Sequence, residues 1–210
     1  MNDASLRAAL RLLVILDPSA APGRDLAAIA TQAAQGGATM FQVRSRTLTA
    51  ADLAALTRSV MSAAGSVPVL VNDRLDVALA SGAAGCHLGS GDFPLAAARA
   101  MVPAGFILGA SAGNVAEAEA ASRDGAHYLG IGPINATASK EDAGEPIGAA
   151  GFAAIARAGG LPSVAIGGVT VADVASLRNA GADGIAVIRA VLAAGDAAAA
   201  ARILRQAFDR

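Results

Sequence analysis

The chain has 210 residues, 54% of them hydrophobic, with a net charge of −1, two histidines and one cysteine. That length and apolar content suit a chain with one sizeable core and exclude a disordered one, while the near-neutral charge gives nucleic acid no electrostatic footprint. The lone Cys86 excludes an internal disulfide, and every apolar window is broken by Gly, Asp or Arg before the ~20 residues of a membrane span.

The N-terminus carries Asp3, Arg7 and Arg11 and leads into an apolar run, which is not a secretory pattern, so a soluble, cytoplasmic protein is expected. From there, apolar runs at 11–16, 39–43, 67–71, 85–88, 106–110, 127–131, 162–166 and 184–188 predict strands. They are continuous rather than alternating, as in parallel strands covered on both faces. Between them the Ala-rich stretches 25–35, 50–64, 94–102, 115–125 and 171–181 have helical spacing. Glycine-led junctions (Gly36-Gly37, Gly82, Gly125, Gly181) close helices before new strands, and Asp73, Asp92 and Thr170 signal helix starts. Eight strands and eight helices without a composition break predict a single-domain α/β (β/α)8 TIM barrel over residues 1–210. An open doubly wound sheet is the alternative, although no G-x-G-x-x-G follows the first strand.

In such a barrel the active site lies at the C-terminal ends of the strands. Strand two runs into Gln42, Arg44 and Arg46; strand three into Asn72 and Asp73; strand four into His87 and Asp92; strand five into Ser111. Strand six enters the polar loop GPINATASK, with Thr137, Ser139 and Lys140; strands seven and eight end in Gly167-Gly168 and Arg189. The cations suit phosphate oxygens, the arginines as bidentate forks and the lysine as a point charge. Asp73 and Asp92 are hard oxygen donors of the kind Mg²⁺ shares with a substrate's phosphates, although Asp73 also reads as a helix N-cap. Thr137, Ser139 and the bare backbone at Gly167-Gly168 can donate to a second phosphate. His87 and His127 lie inside apolar runs and read as hydrogen-bonded core residues, and Cys86 as a small buried one. No nucleophile–base pair or zinc set stands out, and the chemistry suits neutralisation of a departing anion.

Together FQVRSR, VNDRLDVALASGAAGCHLGSGD, GASA, GPINATASK, AIGGV and GADGIAVIRA resemble the thiamine-phosphate synthase family, from about Leu12 to the end of the last strand. The resemblance implies joining of an aminopyrimidine-methyl diphosphate to hydroxyethylthiazole phosphate, with diphosphate released. It implies that Gln42, Arg44, Arg46, Asn72, Ser111 and Lys140 hold the pyrimidine diphosphate, with Lys140, Ser111 and Arg44 as the catalytic set. It further implies Mg²⁺ on Asp73 and Asp92, and a thiazole-phosphate pocket of Thr137, Ser139, Gly168, Ile188 and Arg189. The partners would be small phosphorylated heterocycles, with no nucleic acid or membrane and with room for a homo-oligomer. Three positions depart from the family pattern: Arg46 for lysine, Ser139 for threonine and Arg189 for serine. A guanidinium at 189 could clamp the phosphate or fill its pocket. Alternative readings are a thiazole tautomerase-like protein, whose histidine after the strand-five serine is absent here (Ala112-Gly113), or a non-catalytic phosphate-binding paralogue.

Overall fold

In a computed structural model, which describes residues 2–137 and 144–210, the apolar runs become eight parallel strands that pair in sequence order and close into a barrel. These are β1 Leu12–Leu16, β2 Met40–Val43, β3 Val69–Asn72, β4 Gly85–Leu88, β5 Ile107–Ala112, β6 Tyr128–Ile131, β7 Ser163–Ile166 and β8 Gly184–Val187. The ladder closes where Leu13 pairs with Ala186. The helices are α1 Asp3–Leu10, α2 Leu26–Gln35, α3 Ala50–Ala64, α4 Leu75–Ser81, α5 Leu95–Met101, α6 Val115–Arg123, α7 Gly148–Gly159, α8 Val174–Asn179, α9 Arg189–Leu192 and α10 Ala197–Asp209.

The period of two along each strand divides the core in two. Leu12, Val14 and Leu16 of β1 face outward and join Phe41, Val71, Leu108 and Ile185 in the layer packed by the helices. Leu13 and Ile15 face inward with Met40, Leu70, Ile107, Tyr128, Val164 and Ala186. The same alternation continues beyond the apolar floor: Met40 is followed by Gln42, Leu70 by Asn72, and Gly109 by Ser111. The barrel interior is therefore apolar below and polar above.

Helices form where the caps say they should. Asp25 accepts from the backbone N–H groups of Ala27 and Ala28 to start α2, and Thr49 accepts from Asp52 to start α3. Four boundaries differ from the sequence reading. The N-terminal segment forms α1, whose Leu6 and Leu10 pack onto the inner cluster and close the base of the barrel. The stretch 171–181 divides into a single tight turn, Val171–Asp173, and the short α8, because Asp173 folds back to accept from both Thr170 N and Oγ1. Asp73 and Asp92 are not the caps: the N-cap positions of α4 and α5 are Arg74 and Pro94. Finally, α9 is an extra short helix directly after β8, so among the described residues the helices exceed the expected eight.

Candidate active site

The inward alternation delivers its polar residues to one cavity of about 1100 Å³ at the C-terminal end of the strands. Gln42, Arg44, Arg46, Asn72, Asp73, Asp92, Ser111, Thr137, Gly168, Ile188 and Arg189 all line it. Ser139 and Lys140 lie outside the described residues. Eleven side chains or backbones expected at the rim thus converge from strands two to eight.

On the β2–β4 side the site is built from charged and amide groups. The Gln42 amide donates to Asn72 Oδ1 at 3.0 Å, which fixes both side chains across the β2–β3 pair. The Arg44 guanidinium is largely enclosed and pairs with Asp17, a carboxylate with only 3% of its surface exposed. Asp17 also accepts from Ser19 N at 2.9 Å and Ser19 Oγ at 2.6 Å. Its carboxylate is thus satisfied on both oxygens, and Arg44 is held in one orientation with donors left for the cavity. Arg46 is exposed at the mouth.

Asp73 has a left-handed backbone, with φ of 63°, a conformation that Asp tolerates better than most residues. Its N–H donates to the His87 carbonyl at 2.8 Å, which ties the end of β3 to β4. Asp92 is exposed and accepts from Gly89 N at 2.7 Å through Oδ2. Both carboxylates act on the thiol of the buried Cys86, which is pushed up to about 12, first by burial and then by the fields of Asp73 and Asp92. Cys86 is accordingly an inert core residue, as its apolar setting suggested.

On the β6–β8 side the lining is mostly backbone. After a cis Gly132–Pro133 bond, the chain lies against the β7 turn, where Ile134 N and Asn135 N donate to Ile166 O and Gly167 O at 2.9 and 3.0 Å. The Asn135 amide donates to Gly168 O and to Asp173 Oδ2, both at 3.0 Å. Gly167 and Gly168 have φ of 88° and 65°, and a Cβ at either would come within 2.9 Å of Pro133 or Asn135 atoms. Only glycine fits that close approach. Arg189 opens α9 at the mouth with its side chain in solvent. Among the described residues it has no carboxylate partner. An exposed guanidinium needs none.

The two histidines part company. His87 is buried within the cavity wall, between Tyr128 and Ser111. His127 sits at the opposite end, where Nδ1 accepts from Leu108 N and Arg99 approaches Nε2. Burial, with the Arg99 charge second, lowers the His127 pKa. Its role is structural.

Two residues of the site were missed in the sequence. Asp17 ends β1 as Arg44 ends β2, and applying the strand-end rule to β1 as well finds it. Tyr128 reads as one more apolar residue in β6, and no signal marks it.

The comparisons agree with this geometry. A thiamine-phosphate synthase from Methanoculleus marisnigri is 48% identical over 197 residues, covering 92% of this chain and 93% of that protein. One from Chloroflexus aurantiacus is 47% identical, covering 93% and 91%. Among solved structures, a thiamine phosphate pyrophosphorylase from Pyrococcus furiosus superposes with a TM-score of 0.88 at 34% identity, covering 97% and 98% of the two chains. A 3-hexulose-6-phosphate synthase, at 21% identity and a TM-score of 0.73, shares the barrel alone. A model of the thiamine monophosphate synthase family matches residues 12–191, which takes in every strand and nearly the whole rim, and the chain belongs to that family.

Proposed function

We propose that the protein joins an aminopyrimidine-methyl diphosphate to hydroxyethylthiazole phosphate, giving thiamine phosphate and diphosphate, in thiamine biosynthesis. The observation that supports this reading is that side chains suited to a diphosphate and bare backbone suited to a second phosphate line one and the same cavity, from strands on different sides of the barrel. Arg44, Arg46, Gln42, Asn72 and Ser111 make up the first set, and the backbone of Gly168 and Ile188 with Arg189 the second. The cavity volume of about 1100 Å³ exceeds the ~300–1,000 Å³ usual for a pocket that holds one ligand.

The reaction breaks the bond between the pyrimidine methylene carbon and the diphosphate oxygen, and the electron pair departs with diphosphate. The thiazole nitrogen then gives its lone pair to the methylene cation, and no proton need be moved. What the protein must do is hold the two reactants face to face and neutralise the departing charge. Gln42 and Asn72, locked to one another, give a fixed amide edge for the pyrimidine half. Arg44, aimed by Asp17, presents a guanidinium to the diphosphate without having to reorganise. Lys140, beyond the described residues, would add a second cation. The tight Gly167-Gly168 turn and α9 follow strands seven and eight, the place where barrels of this kind often take a phosphate.

The donor set also suits Mg²⁺. Asp73 and Asp92 line the same cavity, Asp92 has an oxygen beyond the one Gly89 occupies, and no third His, Cys, Asp or Glu joins them among the described residues. Two carboxylates with the balance supplied by phosphate oxygens and water is the usual magnesium arrangement. Bound there, the ion would supply charge neutralisation to the diphosphate.

Incubation of the purified protein with both substrates and Mg²⁺, with thiamine phosphate read by chromatography, tests the proposal. Formation at a turnover within the ordinary enzymatic range supports it. Binding of thiazole phosphate without product would instead identify a phosphate-binding paralogue whose Arg189 obstructs the reaction.

A further inference from the structure

Three side chains from three adjacent strands form a hydrogen-bonded row inside the upper barrel. Tyr128 Oη lies 2.9 Å from His87 Nδ1, and His87 Nε2 lies 3.1 Å from Ser111 Oγ. The row starts at a residue with no accessible surface and ends at one that lines the cavity.

The fold makes room for it deliberately. Gly109 of β5 and Gly130 of β6 sit beside the pair, and a Cβ on Gly109 would stand 2.3 Å from the Tyr128 ring and 2.5 Å from His87 Nδ1. A Cβ on Gly130 would meet His87 Cε1 at 3.0 Å. Filling this tier with aliphatic side chains, as in the tier below, would be simpler and would avoid burying polar atoms. Two strands instead give up their side chains to hold a phenol against an imidazole.

The row has a direction. Burial pushes the Tyr128 phenol well above its ordinary pKa, so the hydroxyl keeps its proton. That proton requires an acceptor where solvent does not reach, and Nδ1 is the atom at hydrogen-bond distance. A neutral imidazole that accepts at Nδ1 carries its hydrogen on Nε2, and so donates to Ser111 Oγ. With an oxygen lone pair taken by His87, the Ser111 hydrogen is left to turn toward the cavity.

We propose that Tyr128 is a positioning residue which, through the tautomer of His87, makes Ser111 a hydrogen-bond donor aimed at the anionic leaving group. The identity of that group as a diphosphate rests on the function proposed above; the direction of the row does not.

The experiment joins ¹⁵N spectroscopy to binding of inorganic diphosphate with Mg²⁺. The chain has two histidines, so a His127→Gln variant assigns both. In the native protein, His87 is expected to show a protonated Nε2 and an unprotonated Nδ1. Hydrogen on Nδ1 would overturn the proposal at once, without any variant. In Tyr128→Phe the ring remains and the hydroxyl is lost. The two nitrogens should then average between tautomers and diphosphate affinity should fall about fivefold, the scale of one hydrogen bond. In a Ser111→Ala background the same substitution should have no further effect on affinity, because the group it positions is gone. An unchanged His87 pattern in Tyr128→Phe, or an equal loss of affinity in both backgrounds, would mean that Tyr128 only fills space. Failure of the native protein to make thiamine phosphate would retire the synthase reading while leaving these measurements to decide the row.

Discussion

The two ends of the barrel use the same kinds of residue to opposite purposes. At the base, Arg7 is tied to Asp3 and Asp183, and Arg11 to Asp209, at 2.6–3.1 Å, while Arg205 shares Asp209. Leu6 and Leu10 of α1 seal the interior above them. At the rim, one enclosed pair, Arg44 with Asp17, orients a cation toward an open cavity, and Arg189 has no carboxylate partner among the described residues. Charge that is mutually cancelled contributes to holding the fold; charge left pointing into a cavity is there for a ligand. Changes at the base should therefore move stability and spare turnover, and changes at the rim the reverse.

The change with the largest expected effect tests where that division blurs. Asp17→Ala leaves the Arg44 guanidinium enclosed without its partner, and the loss of one member of a buried pair costs about 3–5 kcal/mol. Denaturant unfolding should show that cost, and activity should fall as well because Arg44 loses its aim. A variant with intact activity would put Arg44 outside the chemistry. Leu10→Ala is the pure base counterpart. Leu10 is fully buried, and its truncation should cost about 3 kcal/mol of stability with kcat unchanged in the folded fraction.

Lys140→Ala tests the leaving-group role proposed for a residue outside those described. If it acts on the departing charge as proposed, its removal should lower kcat about a hundredfold, near 2.7 kcal/mol, with the melting temperature unmoved. A near-normal kcat would return the loop after β6 to a solvated connection. Arg189→Ser is smaller, about tenfold in KM for the thiazole phosphate, on the scale of one charged hydrogen bond. Weaker binding identifies a clamp, and tighter binding identifies an obstruction.

The smallest effect lies at the base again. Burial and Arg99 depress the His127 pKa, so the folded state holds its proton less well than the unfolded chain. The stability this residue contributes is present above the unfolded value of about 6.5 and is lost as pH falls through the lower, folded value. His127→Gln should flatten that part of the stability–pH curve and leave the activity profile alone.

The barrel was legible because continuous apolar runs repeat eight times, and the four Gly-led junctions between helix and strand point to the same strand–helix unit. The rim was legible from strands two to eight because each of those strand ends could be read as a position in space once the barrel was in hand. What escaped has physical causes. Helix α1 is short, and the pair Leu6 and Leu10 gives only one turn of helical spacing before the strand begins. Asp17 escaped because strand ends were read from the second strand onward, and it follows the first. Tyr128 is apolar by composition and polar only by its neighbour, and that neighbour lies 41 residues away in sequence. Helix starts assigned to Asp73 and Asp92 failed because the loops run on for one or two residues beyond them. Those residues are then left on the rim rather than in a helix cap.

Among the described residues, α1 packs across the base of the barrel and the cavity lies at the other end. Reactants that come in, and products that go out, by that end pass the loops that carry Arg46, Thr137 and Arg189. On that route whatever lies deepest leaves last, so each product stands in the path of the next reactant. Traffic by that end makes the order of departure a property of the architecture as much as of affinity.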